Sequence, residues 1–193
     1  MEFEWKLDLN VILSSVALLA TWVFFGVQIH RERRGLKREI YQRLELASND
    51  VFRFEAEHLD LLDSLNSADK LCDKRSKEYK GVIAYVTQVL NLFEIAIRFR
   101  KEEVMPPDVF GSWVIWFYDL CSADNFPAVW EDLRFNYLPD LRDIMDTCIS
   151  IIAQQKRQGT PDAARKQFFD FMATRFEDDI IKSWLTDKRG AAA

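Results

Sequence analysis

The chain has 193 residues, of which 49% are hydrophobic and 13% aromatic, and its formal net charge is −5. This composition supports a packed core and excludes a disordered chain. The acidic balance lacks the positive charge typical of nucleic-acid-binding domains, so nucleic acid is not expected as the main partner. The chain contains only two histidines and no phosphate-binding glycine loop or paired-histidine metal motif, so we expect no cofactor and no metal site.

The N-terminal region contains a long stretch without charge. Residues 1–8 form a short acidic tail, and the next 21 residues, 9–29, contain no charged side chain. At ~1.5 Å per residue, a helix of this length reaches about 30 Å, the hydrocarbon thickness of a bilayer. A signal peptide would carry its basic residues before the apolar run, whereas here they follow it. The sequence therefore predicts a transmembrane helix at residues 9–29.

Basic residues follow the predicted span directly, and they orient it. Cytoplasmic flanks of membrane helices are rich in lysine and arginine, so residues 1–8 are expected outside and the domain of residues 30–189 in the cytoplasm. Such cations also suit contact with anionic lipid headgroups. We expect residues 190–193 to be a vector-derived tail. The predicted membrane-surface residues are Arg31, Arg33, Arg34, Lys37 and Arg38.

A line of small and polar residues runs along the predicted span. Asn10, Ser14, Ala17, Thr21 and Gln28 are spaced by four, three, four and seven residues, which places them on one helix face. Small residues let helices approach closely, and amides form hydrogen bonds between helices. A polar face in lipid is costly unless it meets another helix or water. We therefore predict a homo-oligomer joined through this face, which lines a pore if the spans form a ring. The alternative is scatter, because serine and threonine are tolerated singly in spans.

The rest of the chain is predicted to be helical. Between residues 40 and 65 the apolar positions step alternately by four and three, so the membrane helix is expected to continue to about residue 65 with one packing seam. The predicted homo-oligomer is expected to be held by this seam, from Ile40 to Leu65, as well as by the span. A break is expected at residues 66–69. Further helices are expected at about residues 76–102 and 107–121, from Pro139 onward, and from Pro161 to Trp184. Residues 122–127 are expected to start another short helix, with Trp130, Leu133 and Phe135 on its apolar side. The predicted fold class is all-α, with one N-terminal transmembrane helix that continues into a cytoplasmic helical bundle.

Arg53 and His58 form a candidate catalytic pair within the seam helix. The two residues are separated by four others, a spacing that resembles the arginine–histidine motif of the HEPN ribonucleases. The resemblance implies that the pair acts at the 2′-hydroxyl and the scissile phosphate, usually across a dimer. Phe54 departs from the motif, which usually has a polar residue after the arginine. His58 also falls on the seam between Phe54 and Leu61, which favours a structural histidine.

Three other patterns have simple structural interpretations. Asp140, Asp143 and Asp146 step by three along one helix, which suits either a Mg²⁺ or Ca²⁺ site or, as we expect, a solvated acidic face. Three cysteines without metal-ligand spacing, Cys72, Cys121 and Cys148, are expected to be buried thiols. In the aromatic helix, Trp113 and Phe117 are expected in the core, and Trp116 is predicted to be an exposed anchor.

The order of these features resembles a family of small bacterial single-span proteins of unknown function. The segment VLNLFEIAI at residues 89–97 resembles the most recognisable helix of that family, and Gly111-Ser-Trp113 resembles the start of its aromatic helix. Within this segment Glu94 is expected to pair with Arg98 one turn later. Size, topology and the Arg53/His58 pair also resemble the membrane accessory proteins of type VI-B CRISPR systems. That resemblance implies a bacterial inner-membrane location, a pore-forming ring with a HEPN-like domain and a role in antiviral defence.

Three functions therefore remain open. The first is an oligomeric, pore-forming, non-enzymatic membrane effector in defence against phage. The second is a membrane-tethered HEPN-type ribonuclease that uses Arg53 and His58. The third is a non-enzymatic membrane scaffold that binds a cytoplasmic protein. A pore requires a ring of spans, a nuclease requires both residues in a cleft, and a scaffold requires neither.

Overall fold

The computed structural model describes residues 9–69, 71 and 73–186, and the side chains of residues 9–21, 23, 26, 27, 29–34, 36, 37, 161, 162 and 184–186 lie outside the described part. The described residues form helices and connecting turns without any strand, which confirms the predicted all-α fold. The helices are α1 (Leu9–Glu57), α2 (Leu59–Asn66), α3 (Lys77–Lys101), α4 (Pro107–Ser122), α5 (Phe126–Leu133), α6 (Pro139–Gln158), α7 (Pro161–Arg175) and α8 (Asp179–Thr186), with a 3₁₀ turn at Arg134–Asn136.

The chain divides into two compact units, residues 1–42 and residues 43–193. Within the first unit, the predicted span of residues 9–29 is helical throughout, as the first part of α1. The second unit holds the end of α1 and all the other helices. Its hydrophobic core includes six phenylalanines with less than 2% of their surface exposed: Phe93, Phe110, Phe117, Phe126, Phe168 and Phe169.

The seam that was predicted on the first helix packs within its own chain. Leu44, Val51 and Leu65 are 3%, 4% and 2% exposed, and they belong to the same core cluster as the apolar residues of α3 and α4. The apolar helix face that the four–three spacing indicated is therefore buried by other helices of the same domain. The seam is therefore not free to join copies of the chain. Association through the polar face of the span stays a prediction.

The first helix ends earlier than the sequence predicted. A helix was expected to run to about residue 65, whereas α1 ends at Glu57 and α2 starts at Leu59. His58 between them has φ −133° and ψ 50°, and its Nδ1–H donates to the carbonyl oxygen of Phe54 at 3.0 Å. This bond gives a partner to a carbonyl that the interrupted helix would otherwise leave open. The next break lies after Asn66, as predicted.

Helix α3 forms the middle of the second unit. It begins at the N-cap Ser76, whose hydroxyl oxygen accepts the backbone N–H of Tyr79 at 2.9 Å, and three basic residues lie in its last turn. Among the residues whose side chains the structure describes, it is the one helix long and apolar enough to cross a membrane by length and composition. A core helix passes the same test, and α3 contributes ten buried side chains to the second unit: Tyr79, Val82, Tyr85, Val86, Val89, Leu90, Leu92, Phe93, Ala96 and Ile97.

Proline and glycine delimit the later helices. A proline stands in the first turn of α4, α5, α6 and α7, where its missing N–H costs no hydrogen bond. Helix α6 ends at Gly159, which adopts φ +70°, a left-handed conformation that glycine reaches without steric cost. These starts and the stop lie where the sequence predicted them.

The last predicted helix is two helices. A single helix was expected from Pro161 to Trp184, whereas α7 ends at Arg175 and α8 starts at Asp179. Glu177 between them has a positive φ of 50°. The Asp178 carboxylate accepts the backbone N–H of Ile180 at 3.0 Å, which caps the new helix.

Candidate membrane segment and His58 groove

The first unit carries three exposed aromatic side chains within the predicted span. Trp22, Phe24 and Phe25 are 71%, 68% and 55% exposed. At about 100° per residue, Trp22 and Phe24 point about 200° apart around the helix, and Phe25 lies about 100° further. The described part of the segment thus exposes three large aromatic rings on different sides of the helix.

The polar and basic site residues of this unit are described only in part. Gln28 and Arg38 are exposed. The side chains of the other predicted pore-lining residues, Asn10, Ser14, Ala17 and Thr21, lie outside the described part, as do those of the other predicted membrane-surface residues, Arg31, Arg33, Arg34 and Lys37.

The second unit has an open groove of about 780 Å³ between the end of α1, helix α2 and the start of α3. Gly81 of α3 allows α2 to approach closely, since a Cβ at this position would lie 2.9 Å from Cδ2 of Leu61 on α2. The groove is lined by Phe54, His58, Asp60, Leu61, Ser64, Lys77, Glu78, Lys80, Gly81 and Ala84.

His58 is held at the groove by the last turn of α1. Its ring stacks on Phe54 with 4.1 Å between the centroids and an interplanar angle of 13°. With Nδ1–H donated to the Phe54 carbonyl oxygen, Nε2 is the nitrogen left to accept a hydrogen bond. Phe54 also stacks on Tyr85, whose hydroxyl donates to Glu55 at 2.5 Å. Burial, followed by this bond to Glu55, raises the pKa of Tyr85.

Arg53, the other half of the predicted pair, does not line the groove. Its guanidinium lies 3.7 Å from the Asp50 carboxylate, and both side chains are more than two-thirds exposed. No contact in the described part of the chain joins Arg53 to His58. The structure therefore places the histidine at a cavity and leaves the arginine on an open helix surface.

The groove carries balanced charge. Lys77 and Lys80 contribute two positive charges, and Asp60 and Glu78 contribute two negative charges, with Glu78 accepting the Ser64 hydroxyl. Binding of a nucleic-acid backbone depends on an excess of positive charge. The groove is thus a weaker match to RNA than the arginine–histidine spacing suggested. The sequence analysis did not identify the lysines and the serine of the groove, because they lie on separate helices. Gly81 was the one available signal, since a glycine inside a helix indicates close packing.

The three aspartates of α6 are 39%, 56% and 40% exposed, in keeping with the expected solvated face, but each of them also forms an ion pair with another segment. Asp140 lies 2.5 Å from Lys101 and 3.0 Å from Arg175, and its hydrogen bond to Lys101 lowers its pKa. Asp143 also pairs with Arg175. The row of aspartates therefore holds α6 to α3 and to the end of α7, and it is not a free acidic face.

Asp146 makes the third of these contacts. Its carboxylate lies 2.5 Å from Arg134 and accepts the indole N–H of Trp130 at 2.7 Å. Within residues 9–69, 71 and 73–186, no three histidine, cysteine, aspartate or glutamate side chains are grouped as metal ligands.

Three further predicted contacts differ in the structure. Glu94 accepts the backbone N–H of Leu138 at 2.7 Å and does not pair with Arg98, so it anchors the start of α6. Trp116 is half-buried against Phe93 at 5.1 Å between centroids, although it was predicted to be an exposed anchor. Phe135, expected on an apolar helix side, lies in the 3₁₀ turn and is 76% exposed.

The predicted core residues of the aromatic helix are confirmed, and so are two of the three buried thiols. Trp113 and Phe117 are 5% and 0% exposed. Cys121 and Cys148 are free and buried, and Cys72 lies outside the described residues. No protein-family model, no curated protein and no solved structure matches this chain.

Replacing His58 by alanine is expected to leave the activity of the protein intact. The substitution removes one stacking contact and one hydrogen bond, so the free energy of unfolding should fall by about 1 kcal/mol. Assays of RNA cleavage and of any in vivo phenotype, made on variants shown by circular dichroism to be folded, check this. His58→Phe is the matched control, because it keeps the stacked ring and removes both nitrogens. A folded His58→Ala protein that loses RNA cleavage shown by the parent chain would establish the nuclease function instead.

Proposed function

We propose that this protein is a single-span bacterial inner-membrane protein whose residues 9–29 anchor a cytoplasmic helical domain. The observation that carries the proposal is an uncharged helical segment with Trp22, Phe24 and Phe25 exposed around it. Burying such side chains in lipid is favourable by roughly 1.5–3 kcal/mol each. The acidic tail before the segment and the basic residues after it support the orientation with the domain inside.

The same proposal includes assembly into an oligomeric, pore-forming effector. It is supported by the one-sided line of Asn10, Ser14, Ala17, Thr21 and Gln28, a pattern that a span surrounded only by lipid does not need. The seam of α1 is covered by its own domain, so association is assigned to the span. The role in antiviral defence is supported by the resemblance to the type VI-B accessory proteins alone.

A ribonuclease is the second candidate, and the location of His58 is the observation that favours it. His58 lines a groove of about 780 Å³ together with Lys77 and Lys80. Against it, Arg53 lies outside the lining and the lysines are balanced by carboxylates. A non-enzymatic scaffold for a cytoplasmic protein retains the anchor and the domain but requires neither conductance nor catalysis.

A reporter fusion tests the anchor and its orientation. A fluorescent reporter that folds only in the cytoplasm, fused after Asp187, is expected to be active, and alkaline phosphatase fused at the same place is expected to be inactive. Both fusions should remain in the membrane fraction after alkaline carbonate washing. Deletion of residues 9–29 is the matched control and should release the cytoplasmic reporter into the soluble fraction. Active phosphatase would refute the orientation, and a soluble full-length fusion would refute the anchor.

A further inference from the structure

Three sulfur atoms meet in the core between α4 and α6. Cys121 lies on α4, and its Sγ is 3.5 Å from Sδ of Met145 on α6. Cys148 lies three residues after Met145, on the same face of α6, and its thiol interacts with that of Cys121. The three residues are 2%, 0% and 0% exposed. Two thiols and one thioether are thus grouped where water does not reach them.

This donor set has a definite metal preference. Thiolate and thioether sulfurs are soft ligands that select Cu(I), whereas Mg²⁺ and Ca²⁺ require oxygen ligands and structural Zn²⁺ requires four donors. In a trigonal site with metal–sulfur bonds of about 2.3 Å, neighbouring sulfurs lie about 4 Å apart. The observed 3.5 Å between Cys121 and Met145 is close to this separation. Binding of the ion requires Cys121 and Met145 to move apart by about 0.5 Å from their 3.5 Å contact.

We propose that Cys121, Met145 and Cys148 form a binding site for monovalent copper. On binding, the two S–H bonds break, three copper–sulfur bonds form, and two protons pass to the solvent. Copper remains Cu(I) throughout, so the step requires no oxidant or reductant. The site is independent of the proposed membrane function, because all three ligands belong to the second unit.

The surroundings of the cluster bear on its charge. Burial, followed by the contact with Cys121, raises the pKa of Cys148, so metal that binds at this thiol must displace its proton. The bound site, with two thiolates and one Cu(I), carries one net negative charge. Arg165 interacts electrostatically with Asp119, which in turn acts on Cys148, and the Nε of Arg165 is buried without a hydrogen-bond partner. The charge that acts on Cys148 is therefore that of the Asp119 carboxylate, and Arg165 is linked to the cluster through its interaction with Asp119.

Competition titration of the full-length protein tests the site. The detergent-solubilised protein is reduced, kept free of oxygen and titrated with Cu(I) in the presence of bicinchoninate. We expect about one equivalent of Cu(I) per chain, with ultraviolet sulfur-to-copper charge transfer and a sulfur-only shell by X-ray absorption. Cys121→Ala and Cys148→Ala should each weaken binding by on the order of 100-fold, and Met145→Leu by on the order of 10-fold.

Matched controls separate the site from non-specific thiol binding. Met172→Leu changes another fully buried methionine, on α7, and should leave the affinity unchanged. Cys72→Ser should leave the stoichiometry unchanged. If a cysteine variant does not fold, Met145→Leu decides the question, because it nearly conserves volume.

Three results would overturn the proposal. The first is no copper retained against bicinchoninate, as expected if the sulfurs are simply core packing. The second is binding that survives loss of both Cys121 and Cys148, or that is lost in Cys72→Ser. The third is cysteine-dependent binding of the same affinity in Met145→Leu, which would exclude the thioether as a ligand.

Discussion

Replacing Asp178 by alanine is expected to lower the free energy of unfolding by about 3–5 kcal/mol. The Asp178 carboxylate lies 2.9 Å from the Arg100 guanidinium, and the two side chains are only 5% and 15% exposed. Removing the carboxylate leaves a guanidinium without its counterion in the interior, where Arg100 Nε already lacks a hydrogen-bond partner. It also removes the cap on Ile180 that starts α8. Since domains are stable by about 5–15 kcal/mol, the loss is a large fraction of the total.

Urea unfolding of the detergent-solubilised full-length protein, followed by tryptophan fluorescence, measures this loss. Asp50→Ala is the matched control, because it breaks the exposed pair with Arg53 and should change the free energy of unfolding by no more than about 0.5 kcal/mol. Asp178→Asn should fall between the two, since the amide oxygen still caps Ile180 but the charge is lost. An Asp178→Ala protein as stable as Asp50→Ala would show that the buried pair contributes nothing.

The helix limits that depend on one residue's own geometry were predictable from the sequence. Pro107, Pro139 and Pro161 each stand at the first position of a helix, and Gly159 ends α6. Proline fixes its own φ and lacks an N–H, and glycine tolerates a positive φ, so these signals act whatever the surroundings. The all-α fold class follows from the same local rules together with the apolar spacing.

The two helix breaks that the sequence did not predict depend on side-chain contacts. The break after α1 is held by the bond from His58 to the carbonyl of Phe54, and the break before α8 by Asp178. Asp178 is bound to Arg100, which lies 78 residues earlier. Neither residue interrupts the apolar spacing, so periodicity alone continues through both positions.

Periodicity indicates which face of a helix needs a partner but not which partner. The seam of α1 was correctly predicted to be apolar, yet the chain's own core covers it and no second copy is needed there. The aspartates of α6 were correctly placed on one side, but their partners Lys101, Arg134 and Arg175 are on other segments. The groove and the sulfur cluster were missed for the same reason. Cys121 and Cys148 are 27 residues apart, and methionine is not a residue that spacing motifs count.

Replacing Ser14, Thr21 and Gln28 together by leucine is expected to abolish ion leakage while leaving membrane insertion intact. If the spans line a pore, these side chains face the lumen and hydrate passing ions, whereas leucine makes the constriction dry. Insertion should persist because the substitutions make the span more apolar. The measurement is dye or ion release from liposomes that contain equal amounts of the purified parent or variant protein.

The matched control changes the same number of residues on a neighbouring face of the span. Val11, Leu18 and Phe25 lie about a third of a turn from the polar line, where they are expected to contact lipid or neighbouring helices. Val11→Leu, Leu18→Val and Phe25→Leu together should preserve both leakage and insertion. Leakage lost equally in both variants would indicate a general defect of the span and would contradict a lumen lined by the polar face.

The mass of the parent protein in mild detergent completes this test, because it separates assembly from conductance. A ring requires several copies per particle, and the leucine variant is expected to lose conductance even where its mass is retained. A strictly monomeric parent would contradict both the ring and the pore, since one span cannot enclose a lumen. If the protein is an oligomer but its liposomes release no dye, the result would support association through Ser14, Thr21 and Gln28 and would contradict the pore. The scaffold would then be the function that the anchored domain supports best.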